Sequence, residues 1–158
     1  MDHFLELLII FSAKYLLFVS AVIAIIYFLK QSRQRQKEIL VFALILFPLS
    51  YIIAKILGHF FYDPRPFAIE NFMPLIPHAA DNGFPSDHTL LGAAIAFAVF
   101  RFNKKLGLFL LVLAILVGLA RILAGVHHAA DIAGSILIVT LISLSTNFLY
   151  FARRKDSK

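Results

Sequence analysis

Phe84-Pro85-Ser86-Asp87-His88-Thr89 stands between a polar stretch rich in proline, asparagine and aspartate and an apolar run that continues to Phe100. Proline at the entry, a serine able to cap and an aspartate in the first turn are signals of a helix N-terminus. The open N–H groups and positive dipole end of such a helix favour a bound phosphate. The stretch therefore has two readings. It is the cap of a transmembrane helix, or it is a phosphate site at a membrane surface with His88 beside it.

Working outward, the chain reads as a membrane protein. It has 158 residues, 61% of them hydrophobic, against about 45–50% for a soluble domain. Its mean hydropathy is +0.87. The expected fold is an all-α integral membrane bundle, one domain over residues 1–158, with about five spans of about 20 apolar residues each. The spans fall near Phe4–Leu29, Ile39–Phe61, Ser86–Phe100, Leu106–Leu123 and Ala130–Phe151. Lys14 interrupts the first run. That run is one tilted span, with Lys14 facing the bundle or snorkelling, or an interfacial helix followed by a span from Tyr15. Pro48 is a candidate kink in the second span, and Lys55 and His59 lie one turn apart in its second half. Gly92 and the alanines of the third span suit close helix packing. The absence of cysteine excludes disulfides, thiol chemistry and thiolate metal sites.

Charge placement orients the bundle. Eleven of the fifteen Lys and Arg residues fall in 30–38, 101–105 and 153–158. Five spans put these segments on one side, which the positive-inside rule makes cytoplasmic. The N-terminus is then expected outside and the C-terminus inside, with Tyr62–Pro85, the start of the third span and Arg121–Asp131 at the outer edge. Lys14, Lys55, Arg65 and Arg121 are left over. Charges at membrane depth are costly and usually functional.

Topology thus gathers Arg65, Ser86-Asp87-His88 and Arg121 through Asp131. Two arginines suit the multi-oxygen face of a phosphate, and Pro64 and Pro66 stiffen the backbone around Arg65. His127 and Asp131 are four positions apart, so a helix beginning near His127 puts both on one face. A carboxylate on one imidazole nitrogen fixes the tautomer and leaves the other nitrogen as nucleophile or base. With two imidazoles, one can attack phosphorus while the other protonates the leaving oxygen. His128 reads as packing or interface, and His3 and His59 have no evident partner.

These residues, in this order, resemble the signature of the type 2 phosphatidic acid phosphatase superfamily: Lys-x6-Arg-Pro, Pro-Ser-Gly-His and Ser-Arg-x5-His-x3-Asp. The chain reads Arg65-Pro66, Pro85-Ser86-Asp87-His88 and Ala120-Arg121-x5-His127-x3-Asp131. Asp87 in place of glycine, with Asp63-Pro-Arg65-Pro-Phe67 and Leu75-Ile-Pro-His78-Ala-Ala-Asp81 upstream, is similar to the bacitracin-resistance type of undecaprenyl-diphosphate phosphatase. The resemblance implies that His127 is the nucleophile, His88 the general acid and Asp131 the residue that orients His127. It implies that Arg65, Ser86 and Arg121 hold phosphate, with Lys55, Asp87 and His78 as further candidates for substrate contact. The expected substrate is a polyprenyl diphosphate hydrolysed in a bacterial plasma membrane at its outer face, for carrier-lipid recycling and bacitracin resistance. No metal, cofactor or nucleic acid is expected, and the partners are the lipid substrate and membrane lipids.

Two departures concern phosphate binding. Gly58 stands where the family has its lysine, with Lys55 three residues earlier, and Ala120 stands where the family has serine. Two other functions use the same residues. One is a broader phosphatase for phosphatidate or phosphatidylglycerophosphate. The other is a metal- or proton-coupled transporter using His88, His127 and Asp131.

Overall fold

The computed structural model describes residues 2–152, so the basic segment 153–158 lies outside the described residues. Six α-helices follow in order: α1 His3–Leu29, α2 Arg33–Phe60, α3 Pro66–Glu70, α4 Asp87–Phe100, α5 Lys104–Leu123 and α6 Ala129–Thr146. The chain continues from α6 into a π-helical turn, Asn147–Ala152. Among the described residues, four helices are long and apolar enough to cross a membrane, and α4 is a shorter apolar helix.

Helix α1 corrects the interfacial alternative, because it runs unbroken through Lys14. Lys14 is exposed, so it does not face the bundle. Around it, Phe4, Leu7, Phe11, Phe18, Val22, Ile25 and Leu29 are exposed at helical spacing, an apolar stripe suited to lipid. Helix α2 begins at Arg33 rather than near Ile39. The Ser32 hydroxyl accepts from Arg35 N at 3.3 Å, and Arg35 pairs with Glu38 at 3.3 Å. Polarity there marks where the helix leaves the membrane, not where it begins.

Small residues make α4 the central post. Gly92, Ala93, Ala94, Ala96 and Ala98 are all buried, and α4 packs on α5 most extensively, then on α6, α2 and α1. On one side Phe42 and Leu46 of α2 and Val139 of α6 meet Ala94. On the other, Leu17 of α1 and Leu110 and Val117 of α5 meet Ile95 and Val99. The close fit needs residues without bulk. A Cβ on Gly92 would lie 3.1 Å from Ala114 Cβ, and one on Gly118 would lie 2.5 Å from Ile132 Cγ2.

Fourteen residues make α4 about 21 Å long, less than the roughly 30 Å of a bilayer core. The 61–86 loop is therefore drawn down between the longer helices. Phe84 is wedged there: its carbonyl lies against Gly58 of α2 and its ring against Gly134 of α6. Asn82 ties the loop in place. Its Nδ2 donates to the carbonyls of Gly58 at 2.6 Å and Phe61 at 3.2 Å, which caps α2. Its Oδ1 accepts from Asp63 N at 2.9 Å and Phe84 N at 3.0 Å. Within the loop, α3 starts on Pro66, and Asn71 at φ 54 ends it. Ile76 anchors the middle of the loop among Ile9, Ala13 and Ala120.

Candidate active site

The C-terminal half of α2, the loop, the start of α4, the end of α5 and the turn that precedes α6 enclose a cavity of about 460 Å³, lined by Lys55, Arg65, His78, His88, Arg121 and His127 among others. His59, Asp81 and Asp87 also reach its wall. Ser86 and Asp131 do not line it. Both are fully buried behind the lining.

Helix α6 starts at Ala129 with His128 as its N-cap, so His127 precedes the helix rather than opening it. The pairing is local all the same: His127 Nδ1 lies 3.0 Å from Asp131 Oδ2. The second ring nitrogen, Nε2, lies 3.2 Å from Arg65 Nη1. A guanidinium only donates, so Nε2 is the acceptor and the proton sits on Nδ1, donated to Asp131. This is the tautomer that leaves a lone pair on Nε2. Burial pushes His127 below the ordinary imidazole value. The hydrogen bond to Asp131 opposes that shift, and the charges of Arg121 and Arg65 add to it.

Asp131 Oδ2 also accepts from His128 N at 2.9 Å. Behind it, His128 Nδ1 donates to Asp63 Oδ2 at 3.0 Å, which ties the α2–α3 connection to the start of α6. The ligating atoms of Asp63, His128 and Asp131 lie within 4.8 Å of one another, a spacing a cation could bridge. The named contacts use Asp131 Oδ2 and form a hydrogen-bonded brace, while Asp131 Oδ1 is buried with no hydrogen-bond partner.

Arg65 is buried and spends four of its five N–H groups on the protein. Nε donates to Asp81 Oδ1 at 2.7 Å, Nη1 to Val126 O at 2.8 Å and to His127, and Nη2 to Asn82 O at 3.4 Å. Arg65 holds the Asp81 carboxyl below its usual value, chiefly through that hydrogen bond. Arg121 is the opposite case. It is 3% exposed, its Nε has no hydrogen-bond partner, and among the described residues it makes no ion pair. The Asp87 carboxylate on the same cavity is the opposing charge that acts on it, short of an ion pair. A buried charge left unpaired is costly, and this one faces a cavity sized for a ligand.

His88, in the first turn of α4, is half-buried on the same wall, and its imidazole makes no hydrogen bond among the described residues. His78 sits with its ring 6.2 Å from that of His127. Its pKa is lowered by burial and then by Arg65 and Arg121. Ser86 is the N-cap of α4, but its side chain bonds no helix N–H. Its oxygen accepts from Thr89 Oγ1 at 3.2 Å, which leaves its own proton to donate. The Ser135 hydroxyl lies between the carbonyls of Asp131 at 2.7 Å and Ser86 at 3.0 Å, joining α6 to the start of α4. Ala120 packs with Ile9, Ala13 and Val126, away from the cavity.

The sequence profile of the PAP2 superfamily matches residues 39–155. The chain belongs to the PAP2 superfamily. Its described residues place the PAP2 signature positions Arg65, His88, Arg121 and His127 on one cavity. Undecaprenyl-diphosphatase BcrC of Bacillus subtilis (strain 168) is 33% identical over 147 residues, 93% of this chain and 74% of that protein. Bacitracin transport permease protein BcrC of Bacillus licheniformis is 38% identical over 135 residues, 85% of this chain and 66% of that protein. The chain thus spans just under two thirds of the second relative's length. Crystalline LpxE of Aquifex aeolicus shares the PAP2 chain's fold, with a TM-score of 0.71 and 25% identity over 92% of this chain and 87% of that one.

Asn82 is the site residue that sequence reasoning missed; Asp63 and Asp81 were read only as parts of motifs, and His128, read as packing or interface, braces the site against Asp63. Their partners lie 16 to 65 residues away, and no local spacing announces them. The one available signal was compositional, a loop dense in Asp, Asn and Pro that is too polar to be membrane anchor.

Proposed function

We propose that this chain is a membrane lipid diphosphatase that converts a polyprenyl diphosphate, undecaprenyl diphosphate above all, to the monophosphate and inorganic phosphate. One observation carries the reading. A histidine with its nucleophilic nitrogen unprotonated faces a cavity beside Arg121, a buried cation that makes no ion pair among the described residues and whose Nε has no hydrogen-bond partner. The names of the relatives supply the lipid.

His127 Nε2 attacks the terminal phosphorus, a P–N bond forms, and the bond from phosphorus to the bridging oxygen breaks. His88 gives a proton to that oxygen as the prenyl monophosphate leaves. Water then attacks the phosphohistidine, His88 takes its proton, and inorganic phosphate departs with Nε2 restored. Arg65, Arg121 and the first amides of α4 receive the charge on the phosphoryl oxygens, and the Ser86 hydroxyl, buried just behind the lining, donates once a phosphoryl oxygen displaces that cover. Arg65 must release Nε2 as substrate binds, and the phosphoryl oxygens replace that acceptor. The site lies at the end of the bundle opposite the basic turns Lys30–Glu38 and Arg101–Lys105, which favours the outer face of a bacterial plasma membrane. There the reaction would recycle a carrier lipid for cell-wall synthesis and oppose bacitracin. A site at one end of the bundle, rather than midway along it, speaks against a transporter.

The test is phosphate release by purified protein in detergent with excess EDTA, from undecaprenyl diphosphate and from phosphatidate. Release chiefly from the diphosphate is expected. A preference for phosphatidate would move the chain to the broader lipid phosphatases, and no release by folded protein from either lipid would overturn the reading.

The pH profile follows from the nucleophile. His127 acts only when neutral, and burial with the two arginines holds its folded pKa below 6.5. The acid limb of kcat/KM is therefore expected below pH 6.5. Asp131→Asn removes the group that raises this pKa. Its limb should move further toward acid, while kcat falls roughly 10³–10⁴-fold through loss of the oriented tautomer. A limb in Asp131→Asn that moves toward neutral would contradict the assigned tautomer.

A further inference from the structure

Two of the three departures from the phosphatase signature, Gly58 for lysine and Asp87 for glycine, have their consequences in one place. Lys55 Nζ lies 3.2 Å from Asp87 Oδ1 and 3.3 Å from Oδ2, a contact from α2 to α4 across the mouth of the cavity. The reason for the displaced lysine is steric. A Cβ on residue 58 would stand 2.8 Å from Phe84 O, 3.5 Å from Pro85 Cδ and 3.6 Å from Asn82 Nδ2. The loop backbone occupies that space, and no longer side chain fits without moving it. Lys55, three residues earlier, still lines the cavity, about 4.5 Å further along α2 toward the middle of the bundle.

What lies beyond Lys55 is apolar. A groove of about 460 Å³ runs between α2 and α4, lined by Phe47, Pro48, Tyr51, Leu90, Leu91 and Ala94. Asp87 belongs to both the cavity and the groove. Lys55 Nζ stands 5.1 Å from the centroid of the Tyr51 ring, another groove residue. Lys55 is thus the junction between the two spaces. Tyr51 and Leu91 are exposed on the side of the bundle, so the groove opens where lipid would be. In order, the path offers two arginines, one lysine and then a hydrocarbon surface. A prenyl diphosphate presents its parts in the matching order: terminal phosphate, second phosphate, chain.

Resting on the diphosphatase reading, we infer that Lys55, positioned by Asp87, binds the second, lipid-linked phosphate of a prenyl diphosphate, and that the groove between α2 and α4 takes the first isoprene units. The side chains of Lys55 and Asp87 are 52% and 60% exposed, so the pair is weak and the incoming phosphate takes over the ammonium. A monophosphate ester with the same chain has nothing to offer Lys55, which makes this residue a determinant of diphosphate over monophosphate.

The test compares farnesyl diphosphate with farnesyl phosphate in one detergent, using wild type, Lys55→Met, Lys55→Arg and Leu91→Trp. Lys55→Met is expected to raise KM for the diphosphate about tenfold or more, with kcat and the monophosphate KM within about threefold of wild type. Lys55→Arg should restore the diphosphate KM to within about threefold. Leu91→Trp should raise KM for farnesyl diphosphate and leave that for methyl diphosphate unchanged. Equal losses on the two farnesyl substrates in Lys55→Met, or no loss, would overturn the assignment of Lys55 while wild-type activity upholds the diphosphatase. A Leu91→Trp effect that ignores chain length would overturn the groove. Wild type that is folded but inactive on every diphosphate would remove the diphosphatase reading and this inference with it.

Discussion

His127→Ala is expected to leave a folded protein whose phosphate release falls by at least about 10⁴-fold, the scale seen when a nucleophile is removed from a working constellation. The ring is 3% exposed and sits outside the helices, so its loss disturbs the cavity wall more than the packing of the bundle. The informative readout is the covalent intermediate. Wild type quenched during turnover of a terminally labelled diphosphate should carry label that survives alkali and is lost in acid, as a phosphoramidate is. His127→Ala should carry none. Label retained in the mutant would move the nucleophile elsewhere, with His59, His78 and His88 the other imidazoles on the same cavity.

Arg121→Met is expected to move activity and stability in opposite directions. The guanidinium is buried, and Nε lacks any partner. An unsatisfied buried polar group costs about 1–3 kcal/mol, and a charged one more. An apolar side chain of similar length removes that cost, so resistance to unfolding in detergent should rise by about 1 kcal/mol or more. The same change removes a fixed charge from the transition state, and kcat/KM should fall roughly 10²–10³-fold. Loss of both stability and activity would mean that Arg121 holds the bundle together instead of serving the anion. The contrast with Arg65 is instructive. Its donors are largely spent on Asp81, Val126, Asn82 and His127, so Arg65→Met should destabilise the loop as well as the chemistry.

Helices α1, α2, α4, α5 and α6 were legible because each is an apolar run, α4 the shortest of them between a polar loop and a basic turn, while the five-residue α3 lay inside the stretch read as loop. The His127–Asp131 pair was legible because it is local. What escaped reading is tertiary. Polar residues 33–38 continue α2, since a helix can outrun the membrane. The 62–85 stretch read as plain loop, but Asn82, Phe84 and the Asp63–His128 contact fold it inward. Ser86 read as a cap, yet its side chain bonds Thr89 instead. The absence of lysine at 58 was visible in the sequence, while its cause, the Phe84 carbonyl on the other side of the space, was not.

The groove between α2 and α4 opens through the flank of the bundle rather than its end. An enzyme entered from the flank meets its substrate by lateral diffusion in a plane. On the proposed function, its working variable is then the number of substrate lipids per unit area of leaflet, not their amount per volume of cell. The demand placed on such a site is to seize a phosphate that is already at the right depth, and neither partner has to leave the bilayer for them to meet.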